Sequence, residues 1–82
     1  MVEASPVEVK NAKFWINEGF ARPRKTINKR ITSYGLKHLA ERQAGSYISN
    51  EALIQAMIES GFRAQQIRGT PNYHFNVKLT EV

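Results

Sequence analysis

A chain of 82 residues, 41% of them hydrophobic, has material for one small domain, because at this length folding buries only about 60% of the unfolded surface. The absence of cysteine excludes disulfides, thiolate metal sites and thiol nucleophiles, and no apolar run has the length of a signal peptide or of the ~20-residue membrane span, which points to a cytoplasmic protein. The net charge of +5 arises from one block: residues 22–40 hold Arg22, Arg24, Lys25, Lys29, Arg30 and Lys37 and no acid, whereas acids and bases nearly balance elsewhere.

In chain order, Val7 and Val9 alternate with Glu8 and Lys10, and Phe14, Trp15 and Ile16 form a compact apolar patch. This reads as a short strand or a docking arm, since Pro6 argues against a helix running in from Val2. Pro23 biases Arg22 toward extended backbone, so 19–29 reads as an exposed loop or arm holding most of the charge. Thr32 or Ser33 caps a helix over about 33–43, with Leu36, Leu39 and Ala40 at near-helical spacing. Gly35 costs this helix roughly 1 kcal/mol relative to Ala unless it serves only the first turn.

After the short apolar pair Tyr47 and Ile48, Ser49 or Asn50 caps a second helix running to about Ser60. Leu53, Ile54, Met57 and Ile58 form its core stripe, and Gly61 stops it. The period then changes to two, and 62–79 reads as a β-hairpin turning through Gly69, Thr70, Pro71 and Asn72. Its expected register sets Arg68 opposite Tyr73, Phe62 opposite Leu79 and Ala64 opposite Val77. The remaining face presents Arg63, Gln65, Ile67, His74, Asn76 and Lys78 as a polar, mildly basic surface. The expected organisation is a segment at 1–30 with a basic arm, followed by one α+β domain at 31–82 with two helices packed on the C-terminal hairpin, an N-terminal strand extending that sheet being the further option.

Five Lys or Arg between Arg22 and Arg30 suit polyanion binding, because each cation that meets a phosphate releases condensed counterions. The competing accounts are a solvated loop and a surface for an acidic protein. The second helix shows Asn50, Glu51, Gln55 and Glu59 outside and no Lys or Arg, so the arm, the first helix, with Lys37, His38, Arg42 and Gln43, and the hairpin wing are expected to carry any DNA contact. Trp15 and Phe14 read as an anchor onto the core ahead of a base-stacking platform. Two histidines and no cysteine do not make a metal centre, no phosphate-binding glycine loop or nucleophile motif is present, and no cofactor is expected.

Three resemblances accompany these residues. Two helices followed by a hairpin resemble a winged helix, which implies DNA contact by a helix and by the hairpin wing. The stretch from Glu51 to Thr70, EALIQAMIESGFRAQQIRGT, is similar to HicA-type toxin ribonucleases, which implies a catalytic role for His74; here Pro71 and Asn72 separate the turn from that histidine, unlike the family. The pattern formed by Ser33 to His38, Tyr47 to Asn50, Gly61-Phe62, Pro71-Asn72-Tyr73 and Phe75-Asn76 looks like that of short uncharacterised bacteriophage, prophage and mobile-element proteins. It implies an origin and no particular activity.

The expectation is a small, non-enzymatic nucleic-acid-binding protein, with duplex DNA as partner and little sequence preference. Its contacts are Arg22, Arg24, Lys25, Lys29, Arg30, Lys37, His38 and Arg42. The alternatives are a mobile-element module docking an acidic host protein, with homodimerisation through the exposed hairpin edge, and a HicA-like ribonuclease.

Overall fold

In the computed structural model, which describes residues 4–80, the chain enters its first helix, α1 (Pro6–Asn17), at a proline. The short strand or docking arm expected here is corrected: the segment is a helix, and Pro6, read as a bar to a helix from Val2, is where it begins. At the first helical position the missing N–H has no intrahelical acceptor to lose, and the fixed φ suits the turn. The buried positions of α1, Val9, Ala12, Trp15 and Ile16, recur with helical rather than alternating spacing, and Val7 is 68% exposed.

The segment expected as a loop or arm is also corrected: it is a strand, β1 (Ala21–Asn28). Next come α2 (Ser33–Ala44), α3 (Asn50–Glu59), β2 (Ala64–Gln66) and β3 (Tyr73–Leu79). The three strands form one antiparallel sheet in the order β1-β3-β2. The described residues therefore form a compact α+β domain of three helices on a three-stranded sheet. Trp15, Leu36, Ile48, Leu53, Met57, Phe75 and Val77 fill its core at 0% exposure, and Val9, Ala12, Ile16 and Ala21 bring residues before position 31 into that same core. The indole N–H of Trp15 donates to Gln43 Oε1 at 2.7 Å, so this ring anchors α1 against α2, while Phe14 remains 55% exposed.

The helix caps follow the sequence reading. Thr32 accepts the Gly35 N–H, and Ser49 accepts the Ala52 N–H. Gly35 belongs in α2 for a steric reason, since a Cβ there would lie 3.0 Å from Ile31 Cγ1. Gly45 ends α2 at φ +70, a left-handed conformation that a side chain would strain.

The hairpin register differs by two residues from expectation: Gln66 pairs with Tyr73, and Ala64 with Phe75. Arg68 lies in a longer turn, closed by the Ile67 N–H on Asn72 O at 2.8 Å and by the Thr70 hydroxyl on Ile67 O at 2.9 Å. A shift of two preserves the side-chain faces. Leu79 is consequently opposite Ala21 of β1 rather than Phe62.

On the outer face of the sheet, Asn76 is only 7% exposed. β1 pairs Pro23 with Val77 and Asn28 with Phe75, so its residues 24–27 arch over the single position of Asn76. Beneath that arch, Asn76 Nδ2 donates to Arg24 O at 2.8 Å, and Asn76 Oδ1 accepts the Arg63 N–H at 2.7 Å. Asn76→Ala leaves both backbone groups without partners and is expected to lower unfolding stability by about 1–3 kcal/mol. Asn76→Asp, which sets a second acceptor against Arg24 O and buries a carboxylate, is expected to lower stability at least as much; urea titration of the three proteins checks this.

Candidate nucleic-acid interface

The inner face of the sheet is set by Ala21, Phe75 and Val77, all buried, and alternation places Arg22, Lys78, His74 and Gln65 on the outer face. Arg22 and Lys78 are direct cross-strand partners. Among the described residues, none of the three strands contains Asp or Glu. The outer face is thus a continuous cationic surface, with Arg22, Arg24, Lys25, Arg63 and Lys78 all exposed.

Two of these guanidinium groups also support the arch. Arg24 Nε donates to Thr26 O at 3.0 Å and Nη2 to Ile27 O at 3.4 Å, while Arg63 Nη2 donates to Lys25 O. Guanidinium groups have five N–H donors, so both retain donors for a ligand. Lys29 and Arg30 follow β1 in the exposed turn before α2. There the Asn28 side chain fixes the backbone by accepting the Arg30 N–H at 3.0 Å and donating to Val77 O at 3.0 Å.

Arg22, Arg24, Lys25, Lys29 and Arg30 are thus brought together along one edge strand and its turn. The three candidates on α2 are placed differently. Lys37 is 9% exposed; its ammonium lies 3.3 Å from Glu41 Oε1 and 5.7 and 5.5 Å from the ring centroids of Tyr34 and Tyr47. Its charge is committed within the protein, which removes it from the phosphate contacts expected from sequence. His38 Nδ1 lies 3.4 Å from the same Glu41 oxygen, and its ring meets Tyr34 edge-on at 4.5 Å. Arg42 is exposed in the last turn of α2, where a cation suits the helix dipole.

Glu41 is the common partner in this cluster. Burial raises its pKa, but the Ile48 N–H at 3.1 Å and the neighbouring Lys37 and His38 outweigh that effect, and the net pKa lies below the ordinary glutamate value. Arg63 and Lys78 belong to the hairpin wing that sequence reasoning expected to assist the arm, though neither was named as a contact. Their period-two spacing marked them as a polar face, but only the pairing of β1 with β3 sets Lys78 beside Arg22. His74, singled out by the HicA resemblance, pairs with Gln65 on the outer face.

The residues on the outer surface of α3, Glu51, Gln55, Ile58 and Glu59, border an open groove of about 790 Å³ with Pro6, Pro71 and Tyr73. Lys13 bonds Glu59 Oε1 at 2.6 Å across the α1–α3 contact. No group of three or more His, Cys, Asp or Glu suited to a metal ion occurs among the described residues, and none of their helices is long and apolar enough to cross a membrane. No protein-family model matches the chain, and neither a curated protein nor a solved structure matches it.

A carboxylate whose folded pKa is depressed contributes stability that is complete above its unfolded value and is lost as pH falls through the folded value. Glu41→Gln is expected to remove part of the wild-type loss of stability in acid, read as a flatter curve of unfolding free energy below the ordinary glutamate pKa. Lys37→Gln is expected to lower stability on the order of 1 kcal/mol with duplex affinity unchanged, checked by urea titration beside fluorescence anisotropy.

Proposed function

We propose that the protein binds double-stranded nucleic acid, DNA in the first instance, through the phosphate backbone and with low sequence specificity, using the outer face of its sheet. The observation that carries this reading is the Arg22–Lys78 cross-strand pair in a sheet without acids. Like charges placed directly opposite destabilise an isolated strand pair, and a bound polyanion relieves that repulsion. Arg24, Lys25, Lys29, Arg30 and Arg63 extend the surface, and arginine adds bidentate phosphate recognition.

The order α-β-α-α-β-β with β3 central supports a winged-helix-like classification. On that reading α3 holds the position of the recognition helix, and its exposed Glu51 and Glu59 would repel phosphates. The reading therefore assigns the contacts to β1, its following turn and the hairpin instead of a helix in the major groove. Duplex is favoured over single strand because the exposed aromatics Phe14, Tyr34 and Tyr47 belong to α1, α2 and the α2–α3 turn. The cationic sheet face has no exposed ring on which an unpaired base would stack. The resemblance to phage and mobile-element proteins agrees with a small module of this kind and supplies none of the argument.

Fluorescence anisotropy with a labelled random duplex, repeated from low to physiological salt, is expected to give a log-log salt slope of about −4, as several phosphate contacts require. Arg22→Glu with Lys78→Glu is expected to abolish binding at physiological salt, as is the triple reversal of Lys25, Lys29 and Arg30. Unchanged affinity in both variants, or no wild-type binding at low salt, would overturn the proposal.

A further inference from the structure

We propose that the exposed ridge of α1 is a symmetric interface through which two copies of this chain associate, with Phe14 on the two-fold axis. Lys10, Phe14 and Glu18 are all exposed. They occur at i, i+4 and i+8, so they form one of the i±4 ridges by which helices most often pack. Glu18, the residue capping α1, retains helical backbone at φ −74 and ψ −5 and continues the track. Neither Lys10 nor Glu18 takes part in an ion pair among the described residues.

The order of this ridge is cation, aromatic ring, anion, with the two charges equally spaced about the ring. A two-fold axis through Phe14 sets the second helix antiparallel, brings Phe14 against its own counterpart, and pairs Lys10 with the partner's Glu18 twice. This is the self-complementarity that an isologous contact requires. The choice of a second copy over another partner rests on that charge order. The chain carries +5, so two copies cannot meet through their cationic sheet faces, whereas the α1 ridge is locally neutral and complementary only to its own reverse.

Apolar surface continues beside the ridge. Val7 is 68% exposed on the same side of α1 as Asn11, whose side chain donates to Tyr47 O at 3.4 Å. Tyr47 is 66% exposed, and Lys37 links its ring to that of Tyr34, which is 55% exposed. Of the five large hydrophobic residues exposed among the described residues, Val7 and Phe14 are on α1, Tyr47 is joined to that helix through Asn11, and Tyr34 is linked to Tyr47 through Lys37. A stable interface needs roughly 800 Å² from each partner. Three half-exposed rings at ~150–250 Å² each when fully buried, with Val7 and the aliphatic stems of Lys10 and Glu18, supply about half of that. An interface of that size makes a weak, reversible dimer, not an obligate one.

The inference is independent of nucleic-acid binding, and its test needs none. Sedimentation equilibrium of the full chain, from about 10 µM to about 1 mM, is expected to show a concentration-dependent monomer–dimer equilibrium. Lys10→Glu and Glu18→Lys each replace two attractive pairs with two repulsive ones, and each is expected to weaken association by about tenfold or more. An equimolar mixture of these two variants is expected to dimerise again, because their ridges are mutually complementary, and the double variant Lys10→Glu/Glu18→Lys is expected to self-associate like the wild type. Thermal melts of each variant establish that the fold is retained. A wild type that stays monomeric throughout, dimerisation indifferent to both single reversals, or a mixture that fails to associate would overturn the proposal.

Discussion

The carboxamide of Asn76 joins all three strands. It belongs to β3, the middle strand, yet its amide nitrogen serves a β1 carbonyl and its oxygen serves the N–H of Arg63, at the entry to β2. A polar side chain at 7% exposure is stable only with its hydrogen-bonding groups paired. Burial of Asn76 in turn depends on β1 arching over it. The arch sets four residues opposite one, a departure from regular pairing that leaves carbonyls of 24–27 without ladder donors. Asn76, Arg24 and Arg63 supply those donors. Two of the cations to which the proposal assigns phosphate contact, Arg24 and Arg63, are therefore also groups that hold the backbone of this surface in shape.

A second constraint operates between the helices and has the opposite electrostatic result. The turn from α2 to α3 exposes consecutive backbone N–H groups, and two carboxylates take them: Glu41 accepts from Ile48 at 3.1 Å and Glu8, from the first turn of α1, accepts from Ser49 at 2.8 Å. Glu41 also holds Lys37 and His38. Glu8 and Glu41 are thus used for capping and pairing, and so is Lys37, the cation of the basic block that reaches this layer. The other cations of that block, on β1 and its turn, have no ion pair among the described residues.

The difference between what was legible in the sequence and what was not follows from the range of the interactions. Helices α2 and α3 are set by local signals, a Thr or Ser cap and an apolar stripe, and both were readable. The hairpin was readable for the same reason, and its faces survived a register error of two because strand periodicity is two. Helix α1 was missed because Val7-Glu8-Val9-Lys10 alternates like a strand, and because Pro6 was read only as a bar to a helix from Val2 and not as a helix start. β1 was missed because nothing local marks it: ARPRKTIN has a proline, clustered cations and little apolar pattern. Its strand character comes from pairing with β3, about fifty residues away. The same limit applies to the site. A run of cations could be seen in the sequence, but not the withdrawal of Lys37 into a pair with Glu41, nor the arrival of Lys78 and Arg63 on the same face.

Net charge is consequently a poor measure of what this surface does. Exposed charges separated by more than the Debye length, about 8 Å at physiological salt, are largely screened from one another, and the domain measures 33 × 27 × 19 Å. A phosphate at the Arg22–Lys78 pair responds chiefly to the cations beside it, and those have no acid within their own sheet to offset them. The carboxylates of Glu51 and Glu59, on the outer surface of α3, enter the chain total with equal weight but bear on a different groove. Exchanging a distant acid for a neutral residue changes the +5 without changing the local field. Moving a cation off β1, by contrast, changes that field even when the total is restored elsewhere. Binding to a polyanion should therefore follow the charge of one face, and that face exists because a cationic segment with no local tendency to form a strand is bound to β3 by Asn76 and its neighbours.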